Sequence, residues 1–93
     1  MLSFSYSAAG LAMTKQLEGL QLTAYQDQAG RWTIGYGHAG PDVHAGLTIT
    51  QAQAEQLLES DLAAAVASVN RAVTSGINQN QFDALVELVL IDA

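Results

Sequence analysis

The sequence predicts a small α+β fold: one helix, a short antiparallel hairpin, and then two more helices. Three observations carry that expectation. Apolar residues recur at helical spacing in three segments. Between the first two, "RWTIGY" alternates Trp32, Ile34 and Tyr36 with Arg31, Thr33 and Gly35, the period of a half-buried strand. Glycines and side-chain caps divide the segments where elements should begin and end. With 93 residues there is room for one domain, 1–93, read as a first helical part over 1–20, a hairpin and loop over 21–49, and two helices over 50–93.

The first helix is expected over residues 7–17, with Gly19 placed to stop it. Glu18 then falls at the helix exit, where the negative end of the dipole opposes a carboxylate and favours its protonated form. Strands are expected over 21–26 and 31–36, joined through "DQAG", in which Asp27 opens the turn and Gly30 supplies a permissive backbone. "HAGPDVHAG" reads as a loop.

Thr50 followed three residues on by Gln53 is a capping-box arrangement that starts the second helix, which runs to about Arg71. Asn78 and Gln81 repeat the arrangement for the third. There Phe82, Leu85, Val86 and Val89 form one stripe, and Leu88, Leu90 and Ile91 make the end apolar almost all round. A helix buried on one side does not need that second apolar surface. The surface is expected to be covered, and self-association into a homo-oligomer through this helix is one way to cover it.

Composition removes several classes of function. Nine acidic residues against Lys15, Arg31 and Arg71 give a net charge of -6. Three cations cannot neutralise a run of phosphates, which argues against nucleic acid, and the same balance argues against capture by anionic lipid. No apolar run approaches the length of a membrane span. There is no cysteine, hence no thiolate metal site. The opening "MLSFSYSAAGLAM" lacks the basic region of a signal peptide.

Chemistry concentrates in "LEGLQLTAYQDQAGRWTIGYGH", where Glu18 and Asp27 stand nine positions apart. Most acids are solvated surface residues, and an Asp before "QAG" is also an ordinary turn former. Context favours more. One acid leaves a helix and the other sits on a hairpin tip, so both can look into one concavity. Glycosidic bond cleavage needs such a pair, one acid to protonate the leaving oxygen and one carboxylate to activate water, and the Thr33 hydroxyl could help to hold that water.

The same stretch resembles the signature of the phage-type lysozymes, glycoside hydrolase family twenty-four: Glu-Gly, then Tyr-x-Asp, then Thr-Ile-Gly-x-Gly-His. The likeness extends through "LTITQAQAEQLLESDLAAAVASVN" and "INQNQFDALV", nearly the whole chain. It implies a lysozyme-like fold and hydrolysis, with inversion, of the β-1,4 bond between N-acetylmuramic acid and N-acetylglucosamine in peptidoglycan. It gives Glu18 the role of general acid, Asp27 that of the carboxylate that positions or activates water, and Thr33 that of its hydroxyl partner. Inversion requires the two carboxyl groups to lie roughly 6.5–9.5 Å apart.

The resemblance also implies a structural ion pair between His38 and Asp61. A metal role for His38 lacks a second His or Cys at ligand spacing, and no metal or other cofactor is expected. His44 reads as a solvated loop residue. Tyr25 flanks Asp27 and is a candidate for sugar contact. Trp32 is a second candidate, although alternating aromatics on a strand are more often core. Gly35 and Gly37 are expected to permit close backbone packing.

Members of the family continue after "QFDALV" into a further helical lobe. Here the chain reads "ELVLIDA", so the C-terminal helical lobe is expected to be missing. Two other functions stay open beside the hydrolase: a silent remnant that self-associates or binds glycan, and a lytic transglycosylase. The first partner expected is the peptidoglycan glycan strand. The setting implied is a bacterial host cytoplasm, with action on the wall after release.

Overall fold

The structure, a computed structural model, describes residues 4–73 and 75–92. Part of the amino-terminal stretch discussed above, residues 1–3, lies outside the described residues. The elements in chain order are α1 (Ala8–Glu18), β1 (Gln21–Gln26), β2 (Trp32–Gly35), β3 (His38–Ala39), α2 (Gln51–Ala72) and α3 (Gln79–Asp92). The described residues divide into two compact units, one within 15–59 and one within 1–14 and 60–93.

The 15–59 unit holds the sheet, in the order β1-β2-β3 with both pairings antiparallel. β2 pairs with β1 through Tyr25 opposite Thr33 and Gln26 opposite Trp32, and with β3 through Ile34 opposite His38. The register of β1 slips between Gln21 and Tyr25. β3 was not expected. It is two residues long and begins straight after a turn in which Gly35 and Gly37 take φ of +68° and +81°, a region open to glycine at little cost. That turn also ends β2 sooner than the alternating pattern suggested. The pattern itself holds only in part, because Thr33, Ile34 and Gly35 are all buried while Trp32 is half-buried. Burial of consecutive residues, whose side chains point to opposite faces, means that both faces of β2 are covered.

The loop expected after the sheet is pinned along β1. Ala24 N–H donates to Leu47 O, Ile49 N–H donates to Leu22 O, each at 2.9 Å, and Thr23 bridges Thr48. Ile34, Val43, Ala54 and Leu58 form the core of this unit. Gly35 packs here as expected, since a Cβ on it would lie 3.4 Å from the Ala54 side chain.

Both capping boxes are present as read. Thr50 N–H donates to Gln53 Oε1 at 2.9 Å and Gln53 N–H donates back to Thr50 Oγ1 at 3.1 Å. Asn78 and Gln81 make the same exchange at 2.9 and 2.8 Å. Each box satisfies two amides that the helix itself leaves without partners.

In the other unit Leu62, Ala65, Val69, Phe82 and Val86 are buried. The rings of Phe4 and Phe82 lie 5.1 Å apart, tilted by 48°. The third-helix stripe needs one correction: Val89 is exposed, along with Leu88 and Ile91. Phe82 and Val86 carry the packing, and the apolar surface beyond them faces outward.

Candidate active site

Glu18 is the last residue of α1, and Gly19, with φ of +68°, closes the helix by donating its N–H to Lys15 O at 3.0 Å. This is the left-handed cap expected of that glycine. The Glu18 side chain reaches the turn between β2 and β3 and lies against the backbone of Gly37, close enough that a Cβ there would fall on its Oε2.

Asp27 opens the β1–β2 turn and is built into it. Its Oδ1 accepts the N–H groups of Ala29 and Arg31, both at 2.9 Å, and its Oδ2 accepts the Arg31 Nε–H at 3.1 Å. Its own backbone closes the turn through Arg31 O and Gly30 N–H. The Arg31 amide above all, then the Arg31 side chain and the Ala29 amide, hold the Asp27 carboxyl below the usual carboxylate range. Asp27 is therefore an anion with its acceptor geometry fixed in advance. It is a turn former and a charged site at once, so the two readings of the residue are compatible.

Thr33 stands opposite Tyr25 in the sheet, two residues from Asp27. It is buried, and its hydroxyl donates to Arg31 O at 3.1 Å. That bond uses its one proton and leaves oxygen lone pairs to accept from another donor. Tyr25 is 37% exposed, enough to offer a ring face, whereas the half-buried Trp32 offers less.

His38 opens β3, and its Nε2 lies 3.0 Å from Asp42 Oδ2. This contact holds the Asp42 carboxyl below its ordinary range. The spacing of four residues was legible but passed over. Glu18, Tyr25, Asp27, Trp32, Thr33 and His38 all belong to the 15–59 unit, while Asp61 belongs to the other. His44 is exposed and its Nδ1 lies 3.0 Å from Ala45 O. Among the described residues no group of three or more His, Cys, Asp or Glu is gathered as for a metal ion.

Sequence reasoning missed a second cluster. Lys15 Nζ pairs with Glu55 Oε2 at 2.7 Å, and the Tyr36 hydroxyl donates to Glu55 Oε1 at 3.1 Å. Glu55 is held ionised by Lys15, and the ammonium of Lys15 also lies 5.6 Å from the Tyr36 ring centre. Lys15 and Glu55 are forty positions apart. No local pattern joins them.

A helix that delivers an acid at its exit, a three-stranded antiparallel sheet bearing a fixed carboxylate, and two following helices define the lysozyme-like class. The chain belongs to the phage lysozyme family, whose model matches residues 15–90. It is similar to the endolysin of Acyrthosiphon pisum secondary endosymbiont phage 1, with 47% identity over 89% of this chain and 56% of that protein. Among solved structures it resembles the endolysin from Escherichia coli O157:H7 phage FAHEc1, with a TM-score of 0.84 and 44% identity over 96% of this chain and 58% of that one. It also resembles the muramidase domain of SpmX from Asticaccaulis excentricus, with a TM-score of 0.83 and 40% identity over 98% of this chain and 61% of that one. The chain thus spans little more than half the length of these relatives.

Proposed function

We propose that the chain carries the acid and base groups of a peptidoglycan hydrolase that cleaves the β-1,4 bond between N-acetylmuramic acid and N-acetylglucosamine. Glu18 gives its proton to the glycosidic oxygen as that oxygen leaves. Asp27 takes a proton from water as the water attacks the anomeric carbon from the opposite face, and the Thr33 oxygen accepts from the same water. The products are two glycan ends with the configuration inverted at the new reducing end. Tyr25, and to a smaller extent Trp32, line the sugar path. His38 has a structural role, its imidazole paired with Asp42.

The observation that carries this reading is the treatment of Asp27. Three donors hold it as an anion, as a base or water-positioning group needs. Glu18, by contrast, ends a helix at the pole that resists negative charge. Membership of the phage lysozyme family and the likeness to endolysins and a muramidase domain support the same chemistry. The chain is then made in the cytoplasm of a bacterial host and acts on the wall after release. Among the described residues no helix is long and apolar enough to cross a membrane.

The test is turbidity loss of bacterial cells stripped of their outer membrane, comparing the chain with its Glu18→Gln variant. Lysis by the parent alone, with an α-anomer at the fresh reducing end by proton NMR, is the expected result. Full lysis by Glu18→Gln sinks the assignment of the acid. An anhydro end means a lytic transglycosylase.

A second reading is favoured by the exposure of Leu88, Val89 and Ile91: a silent module that self-associates through α3. It predicts no lysis from folded protein and a dimer in sedimentation at micromolar concentration.

A further inference from the structure

Gly37 has φ of +81°. A Cβ built on it would fall on Glu18 Oε2 and would lie 3.0 Å from Glu18 Cδ and 3.5 Å from Cγ. The end of the Glu18 side chain therefore occupies the volume that a side chain at position 37 would claim. Gly30 and Gly46 have nearly the same backbone, with φ of +81° and +85°, yet a Cβ on either would meet nothing within 4 Å. Backbone conformation favours glycine at all three positions. At position 37 the carboxyl of Glu18 requires it as well.

Both sides of this contact are fixed from outside it. Lys15 stands one turn before Glu18 on α1, and Tyr36 is the residue before Gly37. Each is bonded to an oxygen of Glu55 on α2, at 2.7 and 3.1 Å. One carboxylate thus ties the last turn of α1 and the glycine turn to the same helix. A group inserted at position 37 cannot be met by the two backbones drawing apart without breaking those bonds. The cheaper response is for Glu18 to change rotamer and swing its carboxyl away.

We propose that Gly37 is a positioning residue for Glu18: its missing side chain sets where the carboxyl stands, and so where the proton reaches the glycosidic oxygen. This rests on the reading of Glu18 as general acid given above. A general acid works only within hydrogen-bond reach of the atom it protonates. A misplacement of about 1 Å can cost about a hundredfold in rate. A methyl group at position 37 displaces the carboxyl on that scale.

The test is a double-mutant cycle of Gly37→Ala and Glu18→Ala read by urea denaturation, with Gly46→Ala as the control for backbone strain alone. Gly37→Ala is expected to lose more stability than Gly46→Ala, and the excess is expected to vanish when Glu18 is already alanine. If Gly37→Ala does not fold alone, it should fold once combined with Glu18→Ala. A second readout is the carbon-13 titration of the Glu18 carboxyl, whose midpoint should move in Gly37→Ala and stay in Gly46→Ala. Lysis by Gly37→Ala should fall about a hundredfold.

An equal cost with and without Glu18, an unmoved midpoint, or failure to fold in both backgrounds overturns the proposal. Undiminished lysis by Glu18→Gln overturns the reading of the acid, and the proposal with it, even where the cycle shows coupling. An additive cycle beside an inactive Glu18→Gln overturns the positioning role alone.

Discussion

Arg31 grips Asp27 twice, its backbone N–H on Oδ1 at 2.9 Å and its Nε–H on Oδ2 at 3.1 Å. The two bonds differ in what a mutation can remove. The amide is the larger cause of the lowered Asp27 carboxyl, and it survives any substitution that keeps the turn. The guanidinium is half exposed and is the smaller cause. Backbone geometry therefore holds most of the charge state of the candidate base, and the side chain trims it.

Arg31→Ala should raise the Asp27 midpoint only part of the way towards the ordinary carboxylate value. Because the folded value is depressed, ionisation of Asp27 favours the folded state above the unfolded carboxylate range, and that contribution fades as pH falls through the folded value. The acid limb of any lysis profile should move upward in Arg31→Ala by the same amount as the Asp27 carbon-13 titration. A midpoint that does not move would assign the whole effect to the backbone.

What could be read from the sequence was whatever is encoded within about five residues. Thr50 with Gln53, Asn78 with Gln81, and Gly19 behind Glu18 are local exchanges, and each is found as expected. β3 was missed because two residues carry no alternation, and only the glycines before it hinted at a reversal. Val89 was misplaced because helical spacing gives the direction of a stripe but not how far along the helix a neighbour extends. The Lys15, Tyr36 and Glu55 cluster is assembled by the fold from three elements, so no spacing could announce it. The candidate acids could be singled out because they sit in a dense motif. The fit of Glu18 against Gly37 was not, since it depends on the absence of atoms.

Tyr6 provides a test at the alkaline end. Its hydroxyl donates to Glu87 Oε2 at 2.9 Å and lies 2.8 Å from Thr14 Oγ1, whose own partner is the same Glu87 oxygen at 2.5 Å. Burial, with smaller contributions from Glu87 and Asp83, pushes the phenol up from 10.0 to about 12. A raised folded value means that the protonated form stabilises the fold fully below the unfolded value, and that this is lost as pH rises through the folded one. Stability should therefore fall between about pH 10 and pH 12, and Tyr6→Phe should flatten that decline. Urea midpoints measured across the range check it. An equal slope in both proteins would show that Tyr6 does not carry the titration.

Gly10 poses a question of sign. It lies inside α1, where alanine is worth about 1 kcal/mol more than glycine by helix propensity alone. A Cβ there, however, would meet Tyr6 Cζ at 2.9 Å and Asp83 Oδ2 at 3.0 Å. Neither neighbour is free to yield. The Tyr6 hydroxyl is held by Glu87 and Thr14, and Asp83 accepts from the Ser7 amide, the Ser7 hydroxyl and Gln79 Nε2. Making room means breaking one of these bonds, at about 1 kcal/mol each, on top of overpacking that typically costs about 1–3 kcal/mol. Crowding should outweigh propensity. Gly10→Ala is expected to destabilise the protein by about 1–3 kcal/mol in urea denaturation, and a stabilised Gly10→Ala would mean that Tyr6 and Asp83 move aside more cheaply than their hydrogen bonds suggest.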